Sequence, residues 1–359
     1  MKILVIGPSE TGSRGGMAAV IRGIQEGEAL NREFEIDTFP SYIDGSLPRR
    51  LLYCIFAYFR FLRCYKRYDL FHIHTAEKGS AFRKALYLRT IKRAGKRAVI
   101  HVHGAEFLDF YDGLGPRGKG IIDRFFRRAD LVLALSERWR QELERRFETG
   151  TCRVLHNGVD PEECRGAVSD PAEHPNSFVM LGRMGMRKGS YDLVEAAALA
   201  AQLNPALRLT MAGDGEVEQV RARVAERGLE DRVAVLGWVD GEKKLELLRN
   251  AAAVVLPSYH EGLPMAILEG MAAGKAIIST TVGAIPEVVT GENGTLVEPG
   301  DVIALAQALL QYGGNVAALR RISAGSRARV EALFSVQEMH RRLAEYYRQA
   351  AGEGAGEWS

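Results

Sequence analysis

Short apolar runs recur along the chain, each closing on glycine or a polar turn residue and giving way to a stretch whose apolar positions repeat at helical spacing. Runs this short predict strands buried on both faces, and the longer periodic stretches predict the helices that cover them. In the first half, residues 3–6, 72–74, 101–103, 131–135 and 154–155 read as strands. Ser136-Glu137 after the fourth is a helix start. Residues 160–176 are polar and carry Pro161, Pro171 and Pro175, which marks a domain boundary. A second series follows, with strands at 178–181, 207–212, 233–236, 251–256, 276–279 and 294–297 and helices at 191–201, 217–227, 243–249 and 301–310. Alternation in both halves predicts an α/β chain of two Rossmann-like, doubly wound parallel sheets facing each other across a cleft.

Chemistry collects where strands end. After the run 251–256 comes Tyr259-His260-Glu261-Gly262-Leu263-Pro264-Met265, leading into a helix that carries Glu269 and stops near Gly274. Pro264 suits the first helical turn, where a missing N–H is not missed. Such a junction aims unpaired N–H groups and a positive dipole end at an anion, and carboxylates beside it accept hydrogen bonds from hydroxyls. A phosphate site flanked by Glu261 and Glu269 points to a nucleotide sugar, against the plainer reading of a strand, a turn and a buried helix. Arg183 and Lys188, in the loop after the strand 178–181, have the fork and the point charge that phosphate oxygens take.

The loop 9–16 holds Gly12, Gly15 and Gly16 before a helix at 17–23, which allows close backbone approach to a ligand. It does not spell G-x-G-x-x-G, which weighs against a nicotinamide oxidoreductase. His72 and His74 share one strand face, as do His101 and His103, so each pair could chelate a metal. No Asp, Glu or Cys at ligand spacing completes either set, so no metal site is expected. His103 stands at a strand's carboxyl end and is the one of the four placed to meet substrate. Residues 105–120, rich in glycine, aspartate and aromatics, read as a mobile loop over a site, with plain disorder as the alternative.

Composition narrows the partners. A net charge of +3 over 359 residues gives no electrostatic ground for nucleic-acid binding. The cysteines, at 54, 64, 152 and 164, are scattered and read as reduced thiols. No signal peptide and no 18-residue apolar span is present, so a cytoplasmic protein is expected, with a peripheral place at the inner face of the membrane as the variant. That variant rests on residues 48–69, where an apolar, aromatic run is bordered by Arg49, Arg50, Arg60, Arg63, Lys66 and Arg67. The favoured reading is a buried helix whose basic ends snorkel. The other is a helix, from Leu51 to Tyr65, lying in a membrane interface.

Taken in order, Gly15-Gly16, His103-Gly104, Asn157-Gly158-Val159-Asp160, Gly182-Arg183 with Lys188-Gly189, Gly213-Asp214-Gly215, and Glu261 to Glu269 resemble the family 4 retaining glycosyltransferases, which have the GT-B fold. The last pair matches that family's E-x7-E motif, and the resemblance covers almost the whole chain. It implies an acceptor-side domain of residues 1–165 joined by a returning helix at 336–359, and a donor-binding domain of 166–335. It implies a nucleotide-sugar substrate such as a UDP- or GDP-sugar, no cofactor and no metal, in keeping with the lack of a D-x-D triplet. By the same resemblance Glu269 holds the ribose, Arg183 and Lys188 the diphosphate, and Glu261 the hydroxyls of the transferred sugar. His103 assists at the anomeric carbon. Gly15 and Gly16 let the first loop approach, Gly262, Leu263 and Met265 line phosphate and sugar, and Trp238 and Val239 lie near the base. Domain closure would then limit hydrolysis. The acceptor is expected to be a glycan or lipid-linked glycan, as in surface polysaccharide assembly. A small soluble acceptor and a nucleotide-sugar epimerase of the same fold are the alternatives.

Overall fold

The computed structural model describes residues 1–9 and 15–352. The chain forms two compact units, Met1–Gly158 with Val336–Ser359, and Val159–Ser335. The division falls after Gly158 rather than after 165, because the intervening residues are already tied into the second unit. Val159 N–H donates to Phe334 O at 2.9 Å and Arg249 Nε to Gly166 O at 2.6 Å.

In the first unit, strands β1 (Lys2–Pro8), β2 (Glu35–Tyr42), β3 (Leu70–Thr75), β4 (Arg97–Val102), β5 (Leu131–Ala134) and β6 (Cys152–Val154) lie in the order β2-β1-β3-β4-β5-β6. All pairings are parallel. Helices α1 (Gly16–Glu26), α2 (Glu28–Glu33), α3 (Leu47–Cys64), α4 (Gly79–Arg93), α5 (Phe107–Asp112), α6 (Pro116–Arg127) and α7 (Glu137–Arg146) connect them. Every residue of β3 is buried, as a strand covered on both faces must be.

The second sheet is also parallel, in the order β12-β11-β10-β7-β8-β9. Its strands are β7 (Ser177–Leu181), β8 (Arg208–Ala212), β9 (Val233–Leu236), β10 (Ala253–Leu256), β11 (Ala276–Thr280) and β12 (Gly294–Val297). Its helices are α8 (Ser190–Leu203), α9 (Val217–Glu226), α10 (Gly241–Arg249), α11 (Met265–Ala272), α12 (Ile285–Val288), α13 (Val302–Tyr312) and α14 (Val316–Leu333). The last helix, α15 (Val336–Ala351), packs on the first unit. Its buried stripe of Met339, Leu343 and Tyr347 meets that unit, Tyr346 Oη donates to Val154 O at 2.9 Å, and Arg348 Nε donates to Glu33 at 2.6 Å.

Two expectations are corrected. Residues 105–120 form neither a mobile loop nor a disordered stretch: they contain α5 and the start of α6. Phe107 is fully buried, with its ring 5.6 Å from Phe126 and 6.0 Å from Phe110, and Pro116 starts α6 at a position that needs no N–H. Nor is α3 a buried helix. It buries Ala57 and Phe61 and leaves a whole apolar face in solvent. Among the described residues no single helix is long and apolar enough to cross a membrane.

Close backbone approach sets one position in the second unit. Gly189, before α8, has φ of +66°, and a Cβ there would stand 2.0 Å from Pro257 O at the end of β10. A side chain would strain the left-handed conformation and push two loops apart. Gly189→Ala is therefore expected to cost about 2 kcal/mol or more. Urea unfolding checks this, and an unchanged midpoint would contradict it.

Candidate active site

The second sheet changes direction between β7 and β10: β8 and β9 extend one way, β11 and β12 the other. Ligands of open parallel sheets sit outside the carboxyl ends of the strands at such a switch point. The two loops there are 182–189, after β7, and 257–264, after β10. They are laced together. Tyr259 N–H donates to Arg187 O at 2.9 Å and Arg187 Nη1 to His260 O at 3.0 Å. The Lys188 ammonium pairs with Glu261 Oε1, the side chains being 14% and 7% exposed, and Ser258 Oγ donates to the same oxygen at 2.7 Å. From below, the loop after β11 closes on Glu261. Gly283 has φ of +57°, a Cβ there would meet Glu261 O at 2.0 Å, and Ala284 N–H donates to Gly262 O at 2.9 Å.

Helix α11 opens at Met265, one residue later than expected. Pro264 is its N-cap rather than part of its first turn, because its ψ of 124° is extended. No side chain caps this end, which leaves the positive end of the helix for another acceptor. Gly262 and Leu263 are buried beneath it and Met265 is half-buried. Glu269 lies about one turn further along and pairs with Lys244 Nζ of α10 at 2.9 Å. Burial opposes the Lys244 charge, but the Glu269 carboxylate outweighs it and holds the ammonium above its usual range. Arg183 is exposed and stands 3.5 Å from Asp214 Oδ2. Trp238, exposed, and Val239, half-buried, follow β9 at the sheet edge, and Trp238 Nε1 donates to Asp240 at 3.3 Å.

Lys188, Glu261 and the start of α11 thus converge, Arg183 shares the Lys188 loop, and Glu269, less buried, pairs with Lys244 further along α11. Reading the sequence missed Ser258 and Lys244. Ser258 lies three residues before Glu261, a spacing that lets its hydroxyl reach the carboxylate. Nothing in the spacing of Lys244 marks its partner.

In the first unit, His74 and His101 are register neighbours on β3 and β4. With His72 and His103 they form a stack, at centroid distances of 4.2 Å for His72–His74, 5.1 Å for His74–His101 and 4.1 Å for His101–His103. Tyr347 Oη lies 2.8 Å from His72 Nδ1, and His74 Nδ1 lies 2.8 Å from His103 Nε2, which orients the His103 ring. Burial, reinforced by the neighbouring rings, keeps the stack neutral. His72 is pushed down to about 3, and His74 and His101 well below their ordinary value. His72, His74 and His101 also bring one ring nitrogen each within 4.8 Å of one another, donors of the kind zinc takes. Their rings lie one above another rather than splayed around a point. Gly15, with φ of +125°, is the N-cap of α1 and Gly16 its first residue. Gly12 and the rest of 10–14 lie outside the described residues.

Solved structures share this architecture. Sucrose-phosphate synthase from Thermosynechococcus elongatus superposes with a TM-score of 0.79 at 23% identity, over 97% of this chain and 98% of that one. Anabaena Alr3699/HepE in complex with UDP-glucose gives 0.77 at 21% identity, over 97% and 99%. The fold is the GT-B fold of glycosyltransferases. Residues 20–163 match the family model described as Glycosyltransferase Family 4, and residues 175–315 the one described as Glycosyl transferases group 1. The chain thus carries a Glycosyltransferase Family 4 domain followed by a Glycosyl transferases group 1 domain, the two halves of a GT4-like glycosyltransferase. The amylovoran biosynthesis glycosyltransferase AmsK of Erwinia amylovora is 27% identical over 79% of this chain and 70% of its own length. The putative colanic acid biosynthesis glycosyltransferase WcaL of Escherichia coli is 28% identical over 77% and 70%. A glycogen synthase of Mycobacterium tuberculosis is 28% identical over 62% of this chain and 54% of its own length.

The neutral histidines carry a pH dependence. Unfolded, each takes a proton near pH 6.5, whereas in the fold His72 waits until about pH 3. Their contribution is therefore complete above pH 6.5 and is lost as pH falls toward 3, at about 1.4 kcal/mol per pH unit for each imidazole. As pH falls below 6.5, wild type should lose stability more steeply than His101→Asn in urea titrations, since the variant lacks one of the buried neutral imidazoles. Parallel slopes would refute the neutral stack.

Proposed function

We propose that this transferase is a retaining enzyme that works without a metal, taking its glycosyl group from a nucleotide sugar held on the second unit. The observation that carries the reading is the convergence of the Lys188–Glu261 pair and the uncapped start of α11 at the sheet's switch point. A diphosphate there meets Lys188, Arg183 and the N–H groups at the start of α11, cationic and dipolar groups already in place to stabilise a leaving nucleoside diphosphate. Those groups supply the charge that a bridging metal supplies elsewhere. Glu269 accepts from the ribose hydroxyls, with Lys244 holding it. Glu261 accepts from the hydroxyls of the sugar. The part we assign to His103, whose ring His74 orients, is assistance at the anomeric carbon. Gly15 and Gly16 are assigned to donor binding, and Trp238 and Val239 to the base.

That HepE was solved with UDP-glucose supports a UDP-sugar as donor. The named polysaccharide enzymes among the relatives support a glycan acceptor, and the apolar face of α3 favours a lipid-linked one.

Incubation with UDP- and GDP-sugars and a glycan acceptor, with a chelator present, should release nucleoside diphosphate. The product should keep the donor's anomeric configuration by proton NMR. An inverted product, or activity abolished by the chelator, would overturn the mechanism, and binding of no nucleotide sugar would sink the donor assignment. Two variants separate the roles of the carboxylates. Glu269→Ala should weaken nucleoside diphosphate affinity by about tenfold, the worth of a charged hydrogen bond. Glu261→Gln should hold nucleoside diphosphate as well as or better than wild type, since Lys188 is released, while turnover falls about a hundredfold. Equal effects on affinity in calorimetry would contradict the assignment.

A further inference from the structure

The apolar face of α3 has no partner in the fold, and the surface beside it says what partner it fits. Leu51, Leu52, Ile55, Phe56 and Phe59 are each between 56% and 68% exposed. They recur at helical spacing along one side, a contiguous patch of the kind that marks an interaction surface rather than scattered surface apolars. The opposite side is firmly docked. Phe61 packs 4.7 Å from Tyr87 between ring centroids, Tyr53 Oη donates to Pro40 O at 3.1 Å, and Tyr58 Oη lies 2.8 Å from Thr90 Oγ1 of α4. Exposure of the stripe is therefore not fraying.

Strand order puts more of the surface on the same side. The connections β2 to β3, β3 to β4 and β4 to β5 all run in one direction across the sheet, so right-handed crossovers place α3, α4 and α6 on one face. On the same face, helices α4 and α6 border an open cavity of about 550 Å³ lined by Arg89, Lys92, Arg93, Arg124 and Arg128. Lys92 is paired with Asp130 at 2.7 Å. None of the four arginines forms an ion pair with a carboxylate among the described residues. Leu86 of α4 and Ile121 of α6 extend the exposed apolar surface, and Arg63, Lys66 and Arg67 continue the positive charge at the end of α3.

Unpaired guanidinium groups crowded round one cavity repel one another and favour an anion, and Arg forks onto phosphate oxygens. An apolar stripe on one face with such a cluster matches one surface in both respects: acyl chains beneath a layer of phosphate. We infer that the α3–α4–α6 face docks on a membrane rich in anionic phospholipid, the stripe entering the acyl boundary and the arginine cavity taking a headgroup phosphate. This inference stands on surface chemistry and not on the transfer reaction.

The test is co-flotation of the full chain with vesicles of phosphatidylglycerol and phosphatidylcholine in equal parts, and of phosphatidylcholine alone. Wild type should float with the first and, by about tenfold, less with the second. The double variant Phe56→Ser/Phe59→Ser should lose about tenfold in partition on the anionic vesicles. Arg93→Gln/Arg128→Gln should bring partition on anionic vesicles down to the level on neutral ones. All these side chains are at the surface, and circular dichroism checks that the variants fold. Failure of wild type to float with anionic vesicles, or equal flotation of wild type and both variants, would overturn the inference. So would a concentration-dependent dimer in sedimentation that Phe56→Ser/Phe59→Ser abolishes, since the stripe would then cover a second copy. An excess of inorganic phosphate that displaces the protein fully, at an ionic strength where chloride does not, would show a free-anion site instead.

Discussion

The nearly buried ion pair between Lys188 and Glu261 is the constraint on which the second unit's site depends. Taking two charges out of water costs several kcal/mol for each, and the pair holds only where geometry and further hydrogen bonds compensate. Here Ser258 supplies the further bond, and the backbone lacing of Arg187 to Tyr259 and His260 fixes the geometry. Removing one partner of such a pair costs about 3–5 kcal/mol, because the other is left buried and alone. The pair therefore fixes the distance between two loops that leave different strands. The close approach at Gly189 belongs to the same two loops, and that at Gly283 adds the loop after β11: none of them leaves room for a Cβ. For the diphosphate proposed to bind there, the lysine is already positioned and already desolvated, so the cost of organising it is met by the fold rather than at binding.

The first unit solves the opposite problem. Its interior holds basic side chains whose charge burial disfavours. Burial holds the stacked imidazoles neutral and drives the Lys84 ammonium far below its ordinary value, where it donates to Ile6 O at 3.3 Å and bonds the Ser41 hydroxyl. Neutral imidazoles can be packed under α15, where His72 meets Tyr347, whereas charged ones would each need a counter-ion. His103 takes its orientation from this stack through His74, so its ring direction is a property of β3 and of the helix that covers it.

The parallel strands were legible because burial on both faces leaves uninterrupted apolar runs with glycine at their ends, and the loops at the switch point were legible because Glu261, Lys188 and Glu269 interrupt that pattern with charge. What escaped was set by contacts between distant segments. Residues 105–120 have the composition of a loop, and tertiary contacts such as the fit of Phe107 against Phe126 accompany their helices. The Lys244–Glu269 pair joins two helices whose spacing in sequence carries no signal. Residues 160–176 read as a boundary because they are polar, yet the bonds of Val159 to Phe334 and of Arg249 to Gly166 bind the start of that stretch into the second unit. For α3 the pattern was read correctly as apolar all round, but periodicity cannot say which side of such a helix meets the core.

That ambiguity has a physical resolution. Packing against the first unit uses only the side of α3 that holds Ala57, Phe61 and the hydroxyls of Tyr53 and Tyr58. Polar residues at 51, 52, 55, 56 and 59 would satisfy the fold equally well, since those positions touch solvent and not the core. Leaving apolar area in water forgoes about 25 cal/mol for each Å² that burial would recover. A face that is costly to the free chain and unnecessary to its packing has its justification in something outside the fold. The unpaired arginines on the same side of the sheet add a second cost of the same kind, self-repulsion, and a single anionic, apolar-cored partner relieves both.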